Sequence, residues 1–298
     1  MKKDLLGTIY VLIAGALWGT MGIFVNYFNS LGLGSIDIAG VRVFFASILV
    51  VLIILAKDPK LLKIKLKDVW CFLGSGLISL MVFTVCYFRT IVLASMSVAA
   101  VLLYTSPVFV IVLSFVIFKE KITKAKAISC IVCVAGSAFV SGIIGSDTRI
   151  SLIAFILGIA SGFAYALYSI FSRFALQKHY NSLTITAYTF LFATIGLSFF
   201  VDIPNIAKSV LTKPSVCVIM LLTGLVTAVL PYLFYTMGLE RIESGKAAVV
   251  AAIEPVVAVI LGWLIFHDDL SLIQYFGILL VIASIAIQNI KHKVRQGE

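Results

Sequence analysis

Apolar residues run along this chain in long, nearly continuous stretches, separated by short polar segments. A helix needs about 20 mostly apolar residues to cross a bilayer. Ten stretches are of that order: 7–28, 37–55, 70–91, 97–117, 124–142, 152–172, 184–201, 216–238, 245–265 and 272–290. They are too long and too continuously apolar for the alternating strands of a barrel. Only helices and closed barrels satisfy their backbone polar groups in lipid, so these stretches predict helices. The expected fold is an all-α polytopic membrane protein of ten transmembrane helices. The segment 202–215, as long as any between stretches, contains Pro204 and Pro214 and reads as a loop.

The pattern occurs twice. Residues 76–118 align with 224–266 at an offset of 148, with 11 of 43 positions identical. Gly76 meets Gly224, Tyr87 meets Tyr235, Ala99-Ala100-Val101 meets Ala247-Ala248-Val249, and Pro107-Val108 meets Pro255-Val256. Upstream the offset is 147, so that Phe45-Ala46 meets Phe192-Ala193 and Trp18 meets Tyr165. Self-similarity on this scale predicts a fold built from two copies of one unit, 1–145 and 146–298.

Charge then gives the copies a direction. Lysine and arginine concentrate in every second segment between stretches. With the N-terminus placed inside, the inner segments hold 18 positive charges and the outer ones only Arg149, Lys208 and Lys213. Cytoplasmic loops carry such an excess, so both termini are expected in the cytoplasm, and the cytoplasmic membrane is the expected location. Five stretches per copy is an odd number, so the second copy enters the membrane upside down. Lys119-Glu120-Lys121 on the inside answers to His267-Asp268-Asp269 on the outside. Two inverted five-helix repeats around a central cavity are a recurrent plan of secondary transporters.

Composition agrees with a membrane protein. Hydrophobic residues are 62% and charged residues 12% of the chain, against about 45–50% and about 25% in soluble domains. The net charge of +10 follows the inner loops and does not suggest a nucleic-acid partner. Met1-Lys2-Lys3-Asp4 and the apolar run behind it resemble a signal peptide, but the run continues to Phe28 and reads as a first span. Cys130 and Cys133 have the spacing of a redox or metal pair. They lack a companion His or second pair and read as small packing residues. No phosphate-binding loop, metalloprotease motif or nucleophile elbow is present. An enzyme or ATP-driven pump is therefore not expected, and no cofactor is.

The candidate site residues are the polar and helix-breaking groups inside the stretches. Glu254 is the one carboxylate placed deep in the membrane, where a charge costs roughly 2.5–3.5 kcal/mol on insertion scales and is a functional candidate by default. It reads either as a proton or substrate-ammonium carrier or as a structural group bonded to a neighbouring helix. Its repeat counterpart is Ser106. Pro107 and Pro255 each remove a backbone hydrogen bond, freeing the carbonyls of Leu103 and Ala251 either for a packing kink or for a cavity. Arg42 either snorkels or meets an anionic group near the outer mouth, whereas Arg89 reads as a snorkelling residue. Trp18, Tyr87, Tyr104, Tyr165, Tyr168, Tyr232 and Tyr235 have polar tips on apolar rings, suited either to lining a cavity or to packing. Gly15-x-x-x-Gly19 and Gly158-x-x-x-Gly162 favour close helix approach.

Taken together these residues resemble the EamA family of the drug/metabolite transporter superfamily. Trp18-Gly19, Arg42 followed by Phe44-Phe45-Ala46, Ala99-Ala100-Val101 leading to Pro107 and Phe118-Lys119-Glu120-Lys121-Ile122, and Ala247-Ala248-Val249 leading to Glu254-Pro255 carry the resemblance across nearly the whole chain. It implies a basket-shaped bundle whose cavity is lined by the first, third, fourth, sixth, eighth and ninth spans. It also implies export of small metabolites, amino acids among them. Asp268 stands where the first copy has Glu120, in a loop that reads as structural. The expected function is a secondary transporter exporting small organic metabolites, most of all amino acids, by alternating access. The rivals are a passive facilitator or pore, a multidrug exporter and a non-transporting scaffold. The expected partners are a small-molecule substrate and the lipid bilayer. Substrate, coupling ion and the choice between monomer and dimer stay open.

Overall fold

The computed structural model describes residues 2–143 and 150–289, so Asp147, Arg149, Lys291, Lys293 and Arg295 lie outside the described residues. Every regular element in those residues is helical. The first apolar stretch is α1 (Lys2–Gly19) and α2 (Met21–Asn29), broken at Thr20, whose hydroxyl donates to the Leu17 carbonyl at 2.7 Å. The second is α3 (Ser35–Lys57). The third is α4 (Val69–Leu73), a π-helical segment Gly74–Met81 and α5 (Val82–Leu93). The fourth is α6 (Met96–Leu103) and α7 (Ser106–Phe118), and the fifth is α8 (Lys124–Val140).

In the second half, α9 (Leu152–Gln177) and α10 (Ser182–Leu197) are the sixth and seventh stretches, followed by α11 (Ile203–Thr212). The eighth is α12 (Ser215–Gly224), a π-helical segment Leu225–Val229 and α13 (Leu230–Leu239). The ninth is α14 (Ser244–Ala251), α15 (Ile253–Leu261) and the π-helical Gly262–Phe266, and the tenth is α16 (Leu272–Asn289). Among the described residues, 8 of these units are long and apolar enough to cross a membrane. The helices α8, with 17 residues, and α10, with 16, are shorter.

Two expectations are corrected. The segment 202–215 is not a plain loop. Asp202 accepts from the Asn205 N–H at 3.1 Å and starts α11, with Pro204 in the first turn, where a missing N–H costs nothing. Ile206 and Val210 then pack beside Phe28, Leu33 and Met220. The second correction concerns the prolines. Pro107 and Pro255 do not kink continuous helices; the chain stops at Leu103 and at Ala251 and restarts with each proline in a first turn.

The released carbonyls lie against glycines of neighbouring helices. A Cβ built on Gly15 would lie 2.7 Å from the Ala251 oxygen, and one on Gly162 would lie 3.2 Å from the Leu103 oxygen. The two glycines occupy equivalent repeat positions, as do the two carbonyls. Only a residue without Cβ lets α1 and α9 approach the breaks this closely, leaving weak Cα–H···O contacts in place of the lost bonds.

The same exchange governs the other contacts. Gly76 packs on Phe192 and Ala193, while Gly224 packs on Phe45 and Ala46, the repeat equivalents of that pair. The helix α1 lies against α13, and α9 lies against α5; α3 pairs with α10 and α8 with α16. Gly7 meets Gly238 while Trp18 meets Tyr232, so α1 and α13 are antiparallel. Tyr168 meets Thr236 and Arg173 meets Ile242, so α9 and α13 are parallel. The starting helices of the two halves, α1 and α9, therefore run in opposite directions.

One end of the bundle gathers the lysine-rich segments. Asp4 meets Lys246 at 3.2 Å, Asp68 meets Lys178 at 2.7 Å, Glu120 meets the Ser244 N–H at 3.0 Å and Thr8 meets Asn289 at 3.4 Å. The opposite end joins Asp37 to the Asp202 N–H at 2.8 Å and Asn205 to the Gly32 carbonyl at 3.2 Å.

Candidate functional site

The two halves meet on an aromatic cluster at mid-height. Trp18 of α1 lies between Tyr165 of α9, Tyr232 and Tyr235 of α13, at centroid distances of 6.2, 5.2 and 5.4 Å. Tyr168 packs on Tyr232 at 4.9 Å. Phe83 connects the cluster outward, 5.2 Å from Tyr165 and 5.7 Å from Tyr87. Two of the buried hydroxyls are bonded across helices: Tyr168 with Thr236 and Tyr235 with Ser169, both at 2.8 Å. Tilted and edge-to-face ring pairs of this kind are favourable beyond the area they bury. The cluster encloses a slot of about 10 Å³ lined also by Ser79, Leu80 and Phe83, the room of roughly one water.

Phe83, Ser79 and Ser169 were not among the residues singled out from the sequence. Phe83 is one of 22 phenylalanines and nothing in its neighbourhood marks it. The signal that was available for Ser169 is weak: a serine one residue after Tyr168, on a helix already read as cavity-lining.

Exposure is graded along the bundle axis. Tyr87, Tyr104, Tyr165 and Glu254 are partly accessible and lie on the side away from the lysine-rich end. Trp18, Tyr168, Tyr232 and Tyr235 are buried, with exposures of 6, 5, 3 and 4%. Ser106 and the rings of Pro107 and Pro255 are buried at the two helix breaks, apart from the aromatic contacts.

Arg42 does not snorkel. It is 9% exposed, its Nε has no partner, and Nη1 sits 3.8 Å from the Met21 sulfur. Among the described residues neither Arg42 nor Glu254 is in an ion pair. A guanidinium carries five donors and is rarely buried without an acceptor. Arg89, by contrast, is exposed, in keeping with a snorkelling role. Cys130 and Cys133 are free and sit in an apolar cluster with Val140, Val256 and Val281.

A larger hollow of about 750 Å³ lies at the lysine-rich end, between Lys60–Lys65, Lys178–Asn181 and Glu240. It is a surface groove beside an extramembrane loop and holds none of the intramembrane polar groups.

A bundle of long apolar helices, interrupted at two prolines and holding charges that have no ion-pair partner among the described residues, is that of a polytopic membrane protein. More particularly, the chain belongs to the EamA-like transporter family, whose model matches it twice, at residues 5–142 and 152–290. It is similar to an uncharacterized transporter of Archaeoglobus fulgidus, 26% identical over 96% of this chain and 98% of that one. It is similar also to YetK of Bacillus subtilis, an uncharacterized transporter, 25% identical over 86% of this chain and 78% of that one. A third relative, the uncharacterized inner membrane transporter YicL of Salmonella typhimurium, is 24% identical over 97% of each chain. A solved crystal structure superposes with a TM-score of 0.75, covering 95% of this chain and 96% of that one at 16% identity, and so shares the fold.

Proposed function

We propose that this transporter is a secondary exporter of small zwitterionic metabolites, foremost amino acids, working by alternating access between two inverted five-helix repeats, 1–145 and 146–298. In this reading all ten apolar stretches span the cytoplasmic membrane, the shorter α8 and α10 included. The lysine-rich end and both termini face the cytoplasm. Support comes from the opposed directions of α1 and α9, the exchange of equivalent contacts between halves, and the gathering of lysines at one end.

The observation that carries the substrate class is that Arg42, 9% exposed, and Glu254 are opposite charges within the apolar stretches, each without an ion-pair partner among the described residues. Such charges match the two ends of a zwitterion. The guanidinium takes the carboxylate in a bidentate fork and Glu254 takes the ammonium. The aromatic faces beneath them then accommodate an apolar or aromatic side chain. In this state the aromatic slot is too small for a metabolite, so substrate binds above it and the rings part as the halves rock.

The test is counterflow of labelled amino acids into proteoliposomes. A panel of amino acids, their amides and their decarboxylated amines is offered as competitor. Amino acids are expected to compete and both truncated classes to fail. Arg42→Met is expected to lose discrimination against amines specifically. Equal competition by amines and amino acids in the wild-type protein would rule out the zwitterion reading.

A further inference from the structure

At the lysine-rich end the loop after α7 reaches across the molecule. Lys119 adopts φ of 59°, the left-handed conformation, and turns Glu120 toward the second half. The Glu120 carboxylate accepts the N–H groups of Ser244 at 3.0 Å and Gly245 at 3.4 Å, capping α14 from outside its own half. An anion at this position also meets the positive end of the helix dipole. Lys126 of α8 lies 3.6 Å from Glu120 and 2.6 Å from Glu243. Arg173 of α9 lies 4.0 Å from Glu120 and donates to the carbonyls of Leu239 and Ile242 at the end of α13. Glu120 and Lys126 are 9 and 5% exposed. Four charged side chains from both halves therefore meet at this end of the bundle.

The opposite end lacks this clasp, and the repeat shows why. The counterparts of Glu120, Lys126, Glu243 and Arg173 are Asp268, Gln274, Ser95 and Asn26. His267 repeats the left-handed turn, with φ of 59°, but Asp268 is exposed and in no ion pair among the described residues. Ser95 caps α6 from within its own half, accepting from the Val98 N–H at 3.1 Å. Gln274 donates to the Val140 carbonyl at 3.4 Å. One end is tied by a cluster of ion pairs and charge-assisted bonds around this turn; at the other end the same turn has lost its charges, and the carboxylate bond between halves there is the single one from the Asp202 N–H to Asp37, away from the turn.

We infer that Glu120, with Lys126, Arg173 and Glu243, is a releasable latch holding the lysine-rich end closed, and that the missing counterpart at the other end sets this closed form as the resting state. The Glu120 carboxylate ties together two bodies that must separate in transport. The inference rests on alternating access as proposed above. It adds that the rest state is biased by an asymmetry between repeats, which an inverted pair of identical halves would not have.

The reporter is a Ser172→Cys substitution. Ser172 is fully buried on α9, between Tyr168 of the aromatic cluster and Arg173 of the clasp. A membrane-impermeant maleimide is added, without substrate, to inside-out vesicles, with the protein lacking the substitution as background. With the latch intact the reporter is expected to react slowly. Glu120→Gln, which loses the charge and keeps the shape, should raise the rate about tenfold or more, the scale of losing charge-assisted bonds. Should Glu120→Gln fail to fold, Glu243→Gln decides, because its side chain is 52% exposed and its loss removes only the 2.6 Å contact to Lys126. Asp268→Ala should leave the rate unchanged. Unchanged labelling in well-folded latch variants, or equal acceleration by Asp268→Ala, overturns the latch. Because no substrate is present, the latch can fail while zwitterion transport stands, and the reverse. A Lys63→Cys tag labelled only in inside-out vesicles separately verifies the orientation.

Discussion

At the scale of single residues, the site depends on groups whose chemistry is plain and whose partners are not. Trp18 contacts three tyrosines drawn from α9 and α13, so its ring helps hold the halves together in this state. Trp18→Ala is expected to weaken transport several-fold, since a ring pair contributes about 0.5–1.5 kcal/mol beyond burial. Initial rates in proteoliposomes at matched protein content measure this. Tyr235→Phe keeps the ring and strands the Ser169 hydroxyl, so a stability loss of about 1 kcal/mol with near-normal transport is expected. Normal transport by Trp18→Ala would remove the cluster from the pathway. Glu254→Gln keeps the shape but removes the charge that meets the ammonium; it should insert, bind substrate more weakly and lose accumulation against a gradient. Uphill uptake with unaltered pH dependence in that variant would make Glu254 structural. The candidate list was legible because intramembrane Glu, Arg and Tyr are rare and costly. What was not legible was that Arg42 is buried with its Nη1 against the Met21 thioether, which depends on how α2 and α3 meet in space.

At the scale of elements, the sequence marked the breaks and the glycines separately but did not connect them. Gly15 reads as a small residue for close packing and Pro255 as a helix breaker. That the first covers the carbonyl released by the second is a contact between residues more than 230 positions apart. The π-helical segments at Gly74–Met81 and Leu225–Val229 were invisible for a different reason. In lipid nearly every position is apolar, so hydrophobic periodicity loses the contrast that would reveal a change of helical register. Gly15→Val and Gly162→Val should each drive α1 or α9 off the broken helix beside it. Overpacking of this kind costs about 1–3 kcal/mol, so a fall in Tm is expected in thermal-shift measurements on the detergent-solubilised protein. Gly22 has nothing within 4 Å of a built Cβ, and Gly22→Ala is the matched control, with no fall expected. Equal loss at all three positions would mean that any added side chain is harmful and that the close approach does not set the effect, since both substitutions raise helix propensity over glycine.

At the scale of the whole molecule, the twofold plan was readable because ancestral identities survive where the packing needs them. Gly76 and Gly224 are retained with Phe192-Ala193 and Phe45-Ala46, and the structure presses each glycine onto the other half's pair. The charge asymmetry is the reverse case, in which the two copies diverge because their loops face different sides. Among the described residues, the segments assigned to the inside converge on one end, bound by Asp4–Lys246, Asp68–Lys178 and the Glu120 contacts. That convergence fixes which loops share a side of the membrane but not which side it is, and the positive-inside bias supplies the direction. Cysteine tags near Lys63 and Lys121 should therefore be shielded from an impermeant reagent in intact cells, while a tag near Asp268, which is exposed, should be labelled. Because one helix bundle links them, the three positions must answer together. Labelling at Lys63 and Lys121 with protection at Asp268 would invert the whole orientation and leave the fold untouched. Labelling of Lys63 and Asp268 together would break the link itself, since an odd number of crossings separates them only if the crossings, the 17-residue α8 included, are all traversed.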